Sequence, residues 1–156
     1  MVRHFKVNDE ISVGRDQPGA EELREIAAAG FRAILDLRPD GEGVQPLPPA
    51  AEARAAEAAG LHYCNLAVPA DRLDEAMLDR FDALLRELPK PVFVHCASGK
   101  RSGSFALACA AIGAGLSGDK VLEHIAEAGA AYGSEEMRQT IRRWVDRRSR
   151  AAGTTR

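Results

Sequence analysis

Two kinds of hydrophobic spacing alternate along this chain. Short apolar runs of strand length are followed by segments in which apolar side chains return every three or four positions, the spacing of one buried helix face. The order predicts a βαβαβαβα chain, and so a mostly parallel sheet with helices on both faces. Ile11 to Val13 is the first strand, and Pro18 opens a helix carrying Leu23, Ile26 and Ala27 that stops at Gly30. Ala33 to Leu37 is the next strand, followed by a loop rich in proline and glycine from Arg38 to Pro48. Pro49 opens an alanine-rich helix that stops at Gly60, before a strand from His62 to Val68. The junctions Ala28-Ala29-Gly30-Phe31 and Ala58-Ala59-Gly60-Leu61 share their turn chemistry.

Leu73, Met77, Leu78, Phe81, Leu84, Leu85 and Leu88 mark an amphipathic helix, ended by Pro89-Lys90-Pro91, and Val92 to His95 form the central strand. From Ser104 to Leu116 nearly every residue is apolar or small, which predicts a helix buried on most sides. Residues 118–149 read as two more helices joined near Gly129 to Gly133, and residues 151–156 as a disordered tail after a single domain spanning 1–150.

Composition narrows the classes without choosing one. The chain has 156 residues and 46% apolar content, enough for one ordinary core. A formal net charge of −2 gives no bias towards nucleic acid or membrane, and the arginines at 142, 143, 147, 148 and 150 read as a solvated helix face. No apolar run is long enough to span a bilayer and the mixed N-terminus has no signal-peptide pattern, so the expectation is cytoplasmic. Three cysteines, Cys64, Cys96 and Cys109, have neither the pairing of a disulfide framework nor metal-site spacing, which fits a reducing compartment. No metal or organic cofactor is expected. Nothing in the pattern prefers a dimer over a monomer.

The chemistry concentrates where the central strand breaks into Cys96-Ala97-Ser98-Gly99-Lys100-Arg101-Ser102-Gly103. A strand ending at Cys96 and a helix beginning near Ser102 make the loop's N–H groups converge near the sulfur, at the positive end of the helix dipole. Such surroundings favour a thiolate, and Lys100 and Arg101 add positive charge. Cys96 is therefore the candidate nucleophile, and Ala97, Ser98, Gly99, Lys100 and Arg101 are the candidate anion cradle. In an open parallel sheet, sites form at the carboxyl ends of the strands, here the loops Arg38 to Pro48, Pro69 to Arg72 and Cys96 to Arg101. Arg38 joins the substrate-binding candidates on that ground. His95 precedes the nucleophile and should point to the opposite face of the sheet, orienting the loop through the backbone. Cys109 reads as a small core residue and Cys64 as a strand residue.

The residue types of this loop resemble the His-Cys-x-x-Gly-Lys-x-Arg-Ser/Thr-Gly loop of cysteine phosphatases. In that family five residues separate Cys from Arg, and here there are four. That separation resembles the compact loop of rhodanese-type sulfurtransferases, which carry a persulfide on the same cysteine. Ile11-Ser12-Val13-Gly14-Arg15-Asp16-Gln17-Pro18, Ala29-Gly30-Phe31, Leu37-Arg38-Pro39-Asp40-Gly41 and the cysteine loop together resemble the phosphatase-like domain of the beta-lactamase-hydrolase-like family. That domain is found alone or fused to metallo-β-lactamase-fold sulfur dioxygenases in bacteria, and the resemblance covers roughly residues 8–115. It implies a dual-specificity-phosphatase-like α/β fold with Cys96 as nucleophile and the Ser102 hydroxyl bonded to its sulfur. It also implies a general acid on the loop before the helix that precedes the cysteine strand, where Asp71 fits and Asp74 is the runner-up. Asp71 and Asp74 are equally suited to cap that helix. Two chemistries stay open, hydrolysis of a phosphate ester through a phosphocysteine and transfer of a persulfide sulfur, on a small-molecule or protein substrate. A silent anion-binding module is the third reading.

Overall fold

The computed structural model describes residues 1–154, with the side chains of 153 and 154 left aside. Five strands form one sheet in the order β1-β2-β5-β3-β4, from β1 (His4–Lys6), β2 (Ile11–Gly14), β3 (Ala33–Asp36), β4 (His62–Asn65) and β5 (Val92–His95). All neighbours pair in parallel except β1 and β2, which are antiparallel. The mostly parallel α/β architecture expected from the spacing is the one observed. β1 is an addition to it, because three residues of mixed character on a sheet edge carry no periodic signal.

Six helices complete the chain, α1 (Ala20–Ala28), α2 (Pro49–Ala58), α3 (Glu75–Glu87), α4 (Lys100–Gly113), α5 (Gly118–Glu127) and α6 (Glu135–Thr154). The Glu22 carboxylate accepts from the Gly19 N–H at the start of α1, and the Asp74 carboxylate accepts from the Met77 N–H at the start of α3. β4 ends at Asn65, short of the expected Val68, although the Leu66 and Val68 N–H groups still donate to Asp36 and Leu37 on β3. The segment assigned to a disordered tail differs as well. Helix α6 continues to Thr154, and residues 155–156 lie outside the described residues.

The sheet divides the interior into two cores. Ile34 and Phe93 point to one side, with Leu23 and Ile26 of α1 and Ala56 of α2. Val13, Leu35, Val92, Val94 and Cys96 point to the other, under α3, α4, α5 and α6, where Phe81 and Phe105 meet edge to face at 5.4 Å. Part of the arginine-rich stretch is a clamp between helices. Arg148 of α6 pairs with Asp79 at 2.8 Å and Asp82 at 2.5 Å, Trp144 donates to Asp79, and Arg147 pairs with Glu75, all on α3. No helix among the described residues is long and apolar enough to cross a membrane.

Candidate active site

Cys96 follows the last residue of β5 and α4 starts four residues later. The turn between them closes on Gly99, whose φ of +87° is left-handed. A Cβ there would stand 2.9 Å from the Gly14 carbonyl oxygen, so glycine is also required by the close approach of β2. Cys96 is only 1% exposed, and its Sγ lies 3.4 Å from the Ser102 Oγ. Burial pushes the thiol up, but the Ser102 hydroxyl, the Ser102 and Ser98 N–H groups and the Arg101 charge outweigh it, and the net shift is downward. The other two thiols go the opposite way. Burial raises both Cys64 and Cys109, which leaves Cys96 as the thiol whose surroundings favour the ionised form.

Arg101 is 6% exposed and its guanidinium is committed. Nη1 donates to Glu42 Oε2 and to the Val68 carbonyl, both at 2.8 Å, and Nη2 donates to Glu42 Oε1 at 2.5 Å. The Val68 bond ties the β4–α3 connection to the cysteine loop. Glu42 was not among the residues the sequence put forward. The signal for it was an acid held between Gly41 and Gly43, both at positive φ, on a loop already assigned to the site.

Arg38 departs from its expected role. It is fully buried on the α1/α2 side of the sheet, where it donates to Asp36 Oδ1 and Oδ2, Glu52 Oε1 and Gln17 Oε1 at 2.7 to 2.9 Å. It cannot reach a substrate from there. The alternation of side chains along the chain puts His95 on this same side, as expected, with Nε2 2.6 Å from Glu52 Oε2 and Nδ1 3.3 Å from the Cys96 carbonyl. Burial alone would lower the imidazole pKa, but the Glu52 hydrogen bond and the charges of Glu52 and Asp36 raise it. With His95 protonated, Asp36, Glu52, Arg38 and His95 balance two negative charges against two positive ones. Asp36, Glu52 and His95 bring their ligand atoms within 4.8 Å of one another, and Arg38 is the cation seated on the two acids.

Residues 4–117 match the family "Beta-lactamase hydrolase-like protein, phosphatase-like domain". The chain belongs to that family. The beta-lactamase hydrolase-like protein of Agrobacterium fabrum is 31% identical over 150 residues, covering 96% of this chain and 33% of the relative, so the chain spans about a third of the curated relative's length. Among solved structures, PTPMT1 in complex with PI(5)P superposes with a TM-score of 0.75 at 14% identity, covering 96% of this chain and 98% of that one. Tk-PTP in its active form gives 0.74 at 20% identity, covering 93% and 97%. At these identities the two structures show a shared fold.

Within this phosphatase-like domain, the remaining candidates fall into two groups. Ser102 is buried against the Cys96 sulfur, with Gly99 buried and Ala97 half-buried beside it. Ser98 and Lys100 are exposed at the rim. Asp71 is exposed in the turn after Val68 and, among the described residues, has no hydrogen-bond or ion-pair partner. Asp74 is the N-cap of α3, its carboxylate accepting from the Met77 N–H.

Proposed function

We infer that this domain is a cysteine-dependent phosphatase. The observation that carries the reading is a buried thiol held below its ordinary pKa at the N-terminus of α4, with a hydroxyl at 3.4 Å and two backbone N–H groups aimed at it. The Cys96 thiolate attacks the phosphorus of a phosphate ester. An S–P bond forms as the P–O bond to the leaving group breaks, and Asp71 gives the departing oxygen its proton. Water then attacks the phosphocysteine, Asp71 takes a proton from it, and inorganic phosphate leaves with the thiolate restored. The loop N–H groups and Arg101 hold the transferring oxygens. Asp71 suits this role by position, three residues beyond the Val68 carbonyl that bonds Arg101.

A second reading is favoured by the occupied fork of Arg101. Glu42 occupies the fork that would clasp a transferring phosphoryl group, whereas the atom transferred in sulfane-sulfur chemistry is a single sulfur that needs no such clasp. There the Cys96 thiolate attacks the outer sulfur of a thiosulfate-type donor, sulfite leaves, and the persulfide passes its sulfur to a thiol or cyanide. One assay separates the two. Phosphate release from an aryl phosphate, lost in Cys96→Ser, is expected. Thiocyanate formation from thiosulfate and cyanide, with a one-sulfur mass gain on Cys96 and no phosphate release, would overturn the phosphatase reading.

A further inference from the structure

The turn between α5 and α6 is fastened to the first turn of α4. The Ser104 hydroxyl donates to the Ala130 carbonyl at 2.8 Å, and a Cβ on Gly103 would stand 2.6 Å from the Ala130 Cβ, so the two segments touch with no room for a side chain. From the other side Arg15, whose Cα lies under Gly99, donates to the Ala128 carbonyl at 2.8 Å and stacks its guanidinium 4.4 Å over Phe5. Tyr132 sits on this fastened turn. It is 9% exposed, it packs in the same core as Cys96 and Val68, and its hydroxyl has no hydrogen-bond partner. A buried hydroxyl left unpaired is costly, and such groups are uncommon unless something outside the protein completes them.

We propose that Tyr132 is an anion-binding residue of the site, its hydroxyl donating a hydrogen bond to an oxygen of the tetrahedral oxyanion held above Cys96. The inference rests on the anion-holding reading of the 96–101 loop and adds a donor from a different part of the chain. The surroundings suit a donor. Burial pushes the phenol pKa up, and the charges that reach it are those of Arg101 and Cys96, so it stays a neutral O–H beside the two central groups of the site. It also answers a shortage. Both terminal nitrogens of Arg101 are engaged by Glu42, so a neutral donor that needs no displacement gives an entering anion a free partner. Because the hydroxyl is uncharged, it serves a phosphate ester and a thiosulfate-type donor equally, and its presence does not decide between them.

The test is Tyr132→Phe in the full chain, with tungstate as the probe, measured by titration calorimetry and by thermal unfolding with and without the anion. The phenylalanine protein should unfold at the same temperature as wild type or higher when no anion is present, since an unsatisfied hydroxyl has been removed. It should bind tungstate about 10-fold more weakly, the worth of a hydrogen bond to a charged acceptor. Equal tungstate affinity in the two proteins would overturn the role of Tyr132 alone. A phenylalanine protein less stable without anion would show that the hydroxyl has a structural partner and would also overturn it. A wild-type protein that does not bind tungstate at all would overturn the anion-holding reading itself.

Discussion

Glu42 holds Arg101 by both terminal nitrogens, at 2.5 and 2.8 Å, in the bidentate geometry that a phosphoryl group or another tetrahedral anion would use. The pair is mostly buried, with Arg101 at 7% and Glu42 at 26% side-chain exposure, so the carboxylate competes for that fork in a medium that screens poorly. Glu42→Gln removes the competing charge while keeping the shape. Tungstate should bind about 5-fold more tightly to the glutamine protein, corresponding to roughly 1 kcal/mol of relieved repulsion. Weaker binding would show that Glu42 positions Arg101 instead of opposing the ligand.

The Ser102 hydroxyl is one of the groups that lower the Cys96 thiol. Ser102→Ala removes the hydroxyl at 3.4 Å from the sulfur, so the alkylation of Cys96 by iodoacetamide should reach half its maximal rate at a higher pH than in wild type. Peptide mass spectrometry reads the three cysteines separately, and Cys64 and Cys109 should titrate above Cys96 in both proteins. The same shift has a stability sign. Because the folded thiol ionises below its ordinary value, it adds stability that is complete above that ordinary value and fades as pH falls through the folded one. Comparing the unfolding of wild type and Cys96→Ser across pH measures it.

The ionic cluster on the far side of the sheet predicts a different dependence. Glu52→Ala leaves Arg38 and His95 short of an acid in a fully buried setting, and should cost about 3 to 5 kcal/mol in urea unfolding. His95 ionises above its ordinary value, so its part of the stability is complete below about pH 6.5 and is lost as pH rises through the folded value. In the alanine protein this stabilisation should be lost. An unchanged unfolding midpoint at pH 6 would show that the cluster is not an ionic support.

Asp71 is tested by the leaving group. Asp71→Asn should slow hydrolysis of an alkyl phosphate by about 100-fold or more, the ordinary worth of a general acid, and slow p-nitrophenyl phosphate much less because nitrophenolate leaves without a proton. The comparison is made on kcat/KM, which ends at formation of the phosphocysteine, and equal slowing of both substrates there would place Asp71 in binding and not in protonation of the leaving group.

Strands and helices whose order comes from local spacing could be read from the chain alone. Ile11 to Val13, Ala33 to Asp36 and Val92 to His95 stand out as apolar runs, and the step from Cys96 to Ser102 carries its own turn and helix-start chemistry. What escaped is set by distant partners. Arg38 looked like a loop arginine at a strand end, and only Glu52, fourteen residues on, and Gln17, on another strand's loop, show why it turns inward. Glu42 and Tyr132 lie 59 and 31 positions in opposite directions from Arg101, and while the glycines flanking Glu42 place it on a site loop, nothing local pairs it with Arg101 or marks Tyr132. β1 was missed for a related reason. It is paired on one side only and its three residues alternate between exposed and half-buried, so it has no apolar run to announce it.

His95 and Cys96 are neighbours in the chain and occupy opposite sides of the sheet, one sealed in a cluster of charges and the other beneath the anion loop. The link between the two compartments is short. The His95 imidazole reaches the Cys96 carbonyl at 3.3 Å, so the peptide that carries the Cys96 sulfur is braced from behind. A saturation screen for lost turnover would therefore return Asp36, Arg38 and Glu52 alongside Cys96 and Ser102, although none of the first three faces the ligand. Soluble yield and melting temperature would have to be scored beside turnover before any such position was counted as chemistry.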